Sequence, residues 1–169
     1  MATIDKSWAV IPNHGMGKLK FGMSRENVDK LQGVYGTLKS EKAVDPVRSI
    51  VDERRGDDGL GLTFVNNRLV TIGLEPAHIL ASLAGKLIFR EPAEDILLEA
   101  ERLNGKPGLY FKNYATFKDI KLAFGGFSEM GQNGATPLKP DRNSYVGIYV
   151  SLDQNAIPEF FQPFSWSKL

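Results

Sequence analysis

The pair Asn66-Asn67 constrains the fold of this chain more than any other feature, because it separates two short apolar runs. Leu60 to Val65 precedes the pair and Arg68 to Leu74 follows it. Asparagine tolerates the positive φ angles that a two-residue hairpin turn requires, and apolar runs on both sides of such a turn are typical of paired strands. The sequence therefore predicts an antiparallel β-hairpin over residues 60–74.

Helices are predicted from capping residues and apolar spacing. The first begins after Ser24, whose hydroxyl can accept a hydrogen bond from a free N–H of the first turn, and it ends near Gly33. The clearest helix has Pro92 as its first residue, carries apolar side chains at helical spacing, and ends at Gly105. Two further helical turns are predicted over Ala77 to Leu83.

The second half of the chain predicts more strands. Leu109 to Phe117 and Asp119 to Phe127 are rich in aromatic and β-branched residues, and Tyr145 to Leu152 alternates between apolar and other side chains. A polar excursion with glycine and proline, Ser128 to Ser144, separates the last two strands. We expect the aromatic tail, Phe160 to Trp166, to pack on the sheet.

These elements predict a single α+β domain over residues 1–169, with antiparallel sheets and short helices packed on one face. Both halves follow one order, a capped helix ending at glycine and then strands, which suggests tandem helix-plus-sheet repeats over 18–75 and 86–152. Residue identity between the halves is poor, so a domain without internal repeats is the alternative.

Composition excludes several classes of protein. The 21 Lys and Arg against 20 Asp and Glu give a net charge of +1 without a long block of one sign, which argues against a dedicated nucleic-acid binder. The absence of cysteine excludes disulfides, thiolate zinc sites and thiol catalysis. No apolar segment reaches the length of a signal peptide or the roughly 20 residues of a membrane span. We therefore expect a cytoplasmic protein that does not bind membranes.

No catalytic, metal or cofactor site is predicted. The two histidines, His14 and His78, lack the regularly spaced partners that metal ligands have. The stretch 14–18 contains glycines but not the order of a phosphate-binding loop, so a flexible turn is the favoured interpretation.

Two charged or polar segments are the candidate binding loops. Residues 52–59 form a charged run that predicts a solvated loop or hairpin end, and their acids do not alternate as a calcium loop requires. The excursion 128–144 mixes Met, Arg and acidic residues, with aromatic residues at its ends, as protein interfaces do. Solvated loops without a binding role are the alternative. The predicted partner-binding residues are Asp52, Glu53, Asp57, Asp58, Glu129, Met130, Arg142 and Tyr145.

One segment resembles a known family. Residues 19–28, with Gly22-Met23-Ser24 and then Val28, resemble the Gly-Met-Ser/Thr-x-x-x-Val start of small bacterial proteins with a helix-plus-sheet repeat, such as β-lactamase inhibitor proteins and small outer-membrane lipoproteins. The chain also resembles, in size and style, the bacterial immunity proteins that pair with toxins. These resemblances imply a protein that binds another protein.

The sequence thus favours an immunity or inhibitor protein that neutralises a bacterial toxin or enzyme by forming a stoichiometric complex, rather than an enzyme. A small-molecule-binding domain, or an enzyme with an unrecognised carboxylate-based site, is the main alternative. A structural subunit of a larger assembly, suggested by the aromatic tail, is another.

Overall fold

The computed structural model describes residues 3–131, 134–137, 147–151 and 161–168. Its helices are α1 (Arg25–Asp29), α2 (Gln32–Tyr35) and α3 (Ala93–Asn104), with short 3-10 helices at Lys6–Trp8, Lys118–Ile120 and Trp166–Lys168. The strands are β1 (Ala9–Ile11), β2 (Gly15–Met16), β3 (Leu19–Lys20), β4 (Leu38–Asp45), β5 (Ile50–Arg55), β6 (Leu60–Val65), β7 (Arg68–Leu74), β8 (Ser82–Leu83), β9 (Lys86–Leu87), β10 (Gly108–Phe111), β11 (Tyr114–Phe117), β12 (Leu122–Gly125), β13 (Ser128–Gly131), β14 (Gly134–Pro137), β15 (Gly147–Ser151) and β16 (Gln162–Phe164).

Most of these strands belong to one large sheet. Its nine strands have the order β16-β10-β11-β12-β15-β7-β6-β5-β4, and each neighbouring pair is antiparallel. A smaller sheet has the order β3-β2-β1-β8-β9, and β13 pairs only with β14. Antiparallel sheets with a few short helices confirm the predicted α+β class.

The large sheet is built from two meanders. Strands β4 to β7 follow α1 and α2, and strands β10, β11, β12 and β15 follow α3. The meanders meet where β7 pairs with β15, with Ile72 opposite Val150. The tandem interpretation would pair the hairpin of β6 and β7 with strands β12 and β15. Equivalence of the two halves stays a prediction.

A single core covers one face of this sheet. Strand β6 alternates between buried and half-buried residues, as expected for a strand with one face against a core. The core joins both meanders to the helices and the smaller sheet, and its members include Leu62, Phe64, Ile72, Tyr110, Phe124, Val28, Ile96 and Met16. The opposite face, which we call the open face, carries exposed charges of the first meander such as Asp52 and Arg54.

The turn and helix ends show which local predictions hold. Asn66 and Asn67 have φ angles of 49° and 60°, which confirms the predicted hairpin turn. Ser24 caps α1, because its Oγ accepts a hydrogen bond from the N–H of Asn27 at 3.3 Å. Gly105 ends α3 in the left-handed conformation with φ 71°.

Two helix boundaries differ from the prediction. Pro92 has a ψ of 139° and is the N-cap of α3, so the first helical residue is Ala93. The first helical segment does not end near Gly33, because α2 continues to Tyr35 and stops at Gly36. Gly36 has φ 83°, and an added Cβ there would lie 2.3 Å from the Cα of Gly56, so the close approach of two backbones determines this end.

Several predicted elements are wrong because they depend on distant partners. Residues 77–83 do not form a helix, because β8 pairs in parallel with β1. Leu109 to Phe117 is a hairpin rather than one strand, since Lys112 has φ 51° and starts a turn. The excursion from Ser128 is not simply a loop, because its described residues form the hairpin of β13 and β14.

The charged run 52–59 is also not a solvated loop throughout. Residues 52–55 belong to β5, and only Gly56–Gly59 form a turn. Glu53 and Arg55 are 1% and 2% exposed, which sequence reasoning excluded for charged residues in such a run. Burial is possible because these two side chains pair with each other.

The C-terminal residues pack on the sheet as predicted, within the part of the tail that the structure describes. Strand β16 pairs with β10, and the ring of Trp166 is buried beside Phe164 and Tyr110. This packing weakens the hypothesis that the tail joins a larger assembly, because its anchor ring is already covered.

Candidate functional site: one end of the large sheet

The turn 56–59 and strand β13, which are described parts of the two predicted binding segments, lie at the same end of the large sheet. Strands β5, β7, β12 and β10 run in the same direction, because they alternate with antiparallel neighbours. The segments that follow their last residues therefore share one end. We call this surface the loop end; it comprises the turn 56–59, residues 75–80, the turn at 112–113 with the adjoining Tyr114, and strand β13.

Contacts confirm that these segments are neighbours. The Nη1 of Arg54 donates to the Oε1 of Glu75 at 2.9 Å and to the carbonyl of Gly59 at 3.0 Å, which ties residues 75–80 to the turn 56–59. The N–H of Met130 donates to the carbonyl of Lys112 at 2.9 Å, which fixes β13 beside the turn at 112–113. Strands β7, β15 and β12 join the two groups.

The predicted acids of the first segment fall into three environments. Asp57 and Asp58 are exposed on the turn, where the Oδ1 of Asp57 lies 3.0 Å from the Nζ of Lys39. Asp52 is exposed on the open face and accepts a hydrogen bond from the Oγ1 of Thr63 at 2.7 Å. Glu53 points into the core face and does not reach solvent, so it leaves the set of residues that can contact a partner.

Glu53 instead belongs to a network of ion pairs in which it and Arg55 are the buried members. Its Oε2 lies 2.8 Å from the Nε of Arg55, and its Oε1 lies 2.5 Å from the Nε of Arg25. Arg55 also contacts the Oδ1 of Asp29 at 2.6 Å, and Arg25 contacts Glu41. This network connects α1 to β4 and β5, so its role is to hold the helix on the sheet.

The second predicted segment is only partly described. Glu129 is exposed on β13, and Met130 is half-buried against the core. Arg142 and Tyr145 lie outside the described residues. Both described members belong to the loop end.

Sequence reasoning missed the apolar residues of this surface. Ile79, Leu80 and Tyr114 are 43%, 41% and 44% exposed at the loop end. The sequence predicts a helix for the adjacent pair Ile79-Leu80, and in a helix one of the two would face the core. Pro76, three residues before Ile79, favours a turn, and it was the sequence signal that this pair could be exposed.

His78 fixes the conformation of residues 75–80. The side chain is buried, its Nδ1 accepts a hydrogen bond from the N–H of Glu75 at 2.8 Å, and its ring lies 5.7 Å from that of Trp8. Trp8 in turn contacts Tyr35 edge to face at 5.5 Å. Within the described residues, the Nε2 of His78 has no hydrogen-bond partner. Burial lowers the pKa of His78, although the nearby Asp58 and Glu75 oppose this effect.

This shift predicts a pH dependence of stability. The pKa of His78 in the folded protein lies below its unfolded value of about 6.5. As the pH falls below about 6.5, the unfolded chain therefore binds the proton more readily than the folded protein does. The contribution of His78 is complete above about pH 6.5 and decreases as the pH falls towards its folded pKa. We expect urea titrations at pH 7.5 and 5.5 to differ less for His78→Gln than for the parent.

His14 supplies the control for this titration, because it is exposed. The variant His14→Gln should retain the difference that the parent shows between the two pH values. Equal behaviour of the parent and His78→Gln would contradict the role given to His78.

A cleft elsewhere is built around a buried helix cap. It has a volume of about 550 Å³ between α3 and the C-terminal 3-10 helix, and its buried acid is Glu101. The carboxylate accepts hydrogen bonds from the hydroxyls of Ser165 and Ser167 and from the N–H of Trp166. Burial opposes ionisation, but these hydrogen bonds prevail and lower the pKa of Glu101. Glu101 therefore caps the last helix.

Comparison with known protein families, curated proteins and solved structures found no match. Within the described residues, His, Asp and Glu side chains form no group of three that could hold a metal ion. The helices in that same part of the chain are too short or too polar to cross a membrane.

Proposed function

We propose that this chain is a cytoplasmic immunity or inhibitor protein that binds a bacterial toxin or enzyme in a stoichiometric complex through the loop end. The observation that carries the proposal is that exposed apolar side chains and exposed acids lie at the same end of the large sheet. Ile79, Leu80 and Tyr114 supply apolar contact area, and Asp57, Asp58 and Glu129 are exposed acids at that end. Interfaces combine apolar centres with polar rims in this way.

The dimensions of the loop end support this proposal. From β5 to β10 the sheet crosses six interstrand spacings, which amount to about 29 Å at about 4.8 Å each. A stable interface buries about 800 Å² on each partner, a patch of similar width. One partner could therefore contact both ends of this surface at once.

The scaffold beneath the loop end also favours binding. His78 is buried and anchors residues 75–80, and β13 is hydrogen-bonded to the turn at 112–113. A surface that is ordered before binding loses less conformational entropy in the complex than a mobile loop would.

A purification followed by an activity assay tests this function. We expect the tagged chain to recover one protein in a 1:1 ratio from its native host. The recovered protein, purified alone, should lose its toxic or enzymatic activity when one equivalent of the chain is added. A chain that recovers no stoichiometric partner, or a partner whose activity is unchanged at excess chain, would contradict the proposal.

A further inference from the structure

We infer that Ile79 and Leu80 form the apolar anchor of the complex and occupy an apolar pocket on the partner whose rim carries a Lys or Arg. This inference rests on the proposed function, which does not itself specify an anchor or the chemistry of the partner. It is argued from the geometry of residues 75–80 and from the charges around them.

The exposure of this pair follows from the backbone on either side. The N–H of His78 donates to the carbonyl of Glu75 at 2.9 Å, and the N–H of Ala81 donates to the carbonyl of His78 at 3.0 Å. His78 and Ala81 are both buried, so the chain is held at both sides of the pair. Ile79 and Leu80 therefore project from a segment whose neighbours cannot move outward to cover them.

This arrangement suits an anchor. Two adjacent aliphatic side chains, each more than two-fifths exposed, bury apolar area when a pocket covers them. Since the backbone is already held, binding orders little more than the two side chains. Residues that dominate binding energy lie in such desolvated centres, surrounded by polar contacts.

The charges next to the anchor indicate the chemistry of the partner. The turn 56–59, Glu75 and the bases paired with them carry a net charge of −1. The acids are Asp57, Asp58 and Glu75, and the bases are Lys39 and Arg54. Each base is paired with an acid, Lys39 with Asp57 and Arg54 with Glu75. Among the described residues, Asp58 forms no salt bridge, and the turn that carries it is held to residues 75–80 by Arg54, which contacts both Gly59 and Glu75. A cation on the partner would therefore find its complement at Asp58.

Another exposed aliphatic site supplies a matched control. Val47 is 95% exposed, but it lies in the turn between β4 and β5 at the opposite end of the sheet. It is more exposed than either anchor residue, so exposure alone would make it the better contact. An aspartate at Val47 changes charge and hydropathy in the same way as an aspartate at Ile79.

The test compares Ile79→Asp, Leu80→Asp, Asp58→Lys and Val47→Asp for binding to the partner recovered above, by calorimetry at two salt concentrations. We expect Ile79→Asp and Leu80→Asp to weaken the complex by about 30-fold or more. Asp58→Lys should weaken binding most at the lower salt concentration and so reduce the dependence of the affinity on salt. Val47→Asp should bind within about twofold of the parent, as surface changes outside an interface do.

Thermal melts establish that each variant is folded, and the milder Ile79→Ala extends the comparison should an aspartate disturb the segment. Parent-like binding by both anchor variants would overturn the inference and leave the proposed function intact, because the complex would persist. Failure of the unmodified chain to form a complex would overturn the function and this inference together.

Discussion

Glu53→Ala is expected to destabilise the folded protein by about 3–5 kcal/mol, one of the two largest effects of a single substitution that this structure predicts. The carboxylate of Glu53 is fully buried and contacts both Arg55 and Arg25. Among the described residues, removing it leaves the guanidinium of Arg55, itself 2% exposed, with the exposed Asp29 as its one ion-pair partner. A buried charge that loses its partner costs more than the pair contributed, because desolvation is no longer offset.

Two comparisons separate this effect from ordinary charge removal. Glu41→Gln removes an acid from the exposed end of the same ion-pair network. Because the Glu41 side chain is largely solvated, this change should cost under about 1 kcal/mol. Replacing Glu53 and Arg55 together with methionine should cost much less than Glu53→Ala, because the charge that then loses its partner is that of Asp29, whose side chain is 60% exposed and not buried. Urea titrations of the three variants measure this, and a loss below about 1 kcal/mol for Glu53→Ala would show that the network does not hold α1 on the sheet.

Trp166→Ala is expected to cost about 3–5 kcal/mol of stability, as large aromatic deletions in cores do. The indole is buried among Tyr110 and Phe164, with ring centroids 6.2 and 4.9 Å away. Its Nε1 donates to the hydroxyl of Tyr110 at 2.6 Å, and its backbone N–H donates to Glu101 at 2.9 Å. The deletion therefore leaves a cavity and an unsatisfied hydroxyl.

Trp166→Phe separates the loss of ring packing from the loss of the hydrogen bond to Tyr110. Phenylalanine retains most of the ring volume but cannot donate to Tyr110, so it should cost about 1–3 kcal/mol, the usual penalty for a buried polar group that loses its partner. Denaturant midpoints for both variants provide the measurement. Parent-like stability of Trp166→Ala would mean that the C-terminal residues contribute little to the core.

The features that sequence patterns predicted correctly depend on residues close together in the chain. The turn at Asn66-Asn67, the cap at Ser24 and the helix end at Gly105 each follow from the conformation that one residue type favours. The antiparallel α+β class follows from these local signals. These features can be predicted from the sequence because they do not depend on contacts across the sheet.

The wrong assignments depend on distant contacts. Residues 52–55 are a strand because β5 pairs with β4 and β6, and Glu53 and Arg55 can be buried because Arg25 and Asp29, distant in sequence, form ion pairs with them. Residues 77–83 are not helical because the smaller sheet recruits β8 beside β1. The same long-range pairing brings Ile79 and Leu80 to the surface, so the apolar part of the candidate site could not be predicted from local periodicity.

Hydrogen–deuterium exchange of the chain, free and in its 1:1 complex, tests the central claim most directly. We predict that binding slows exchange at residues 56–59, 75–80 and 128–131 and leaves residues 44–49, at the opposite end of the sheet, unchanged. Slower exchange confined to residues 44–49, or none at the loop end, would contradict the assignment of this surface to a protein partner.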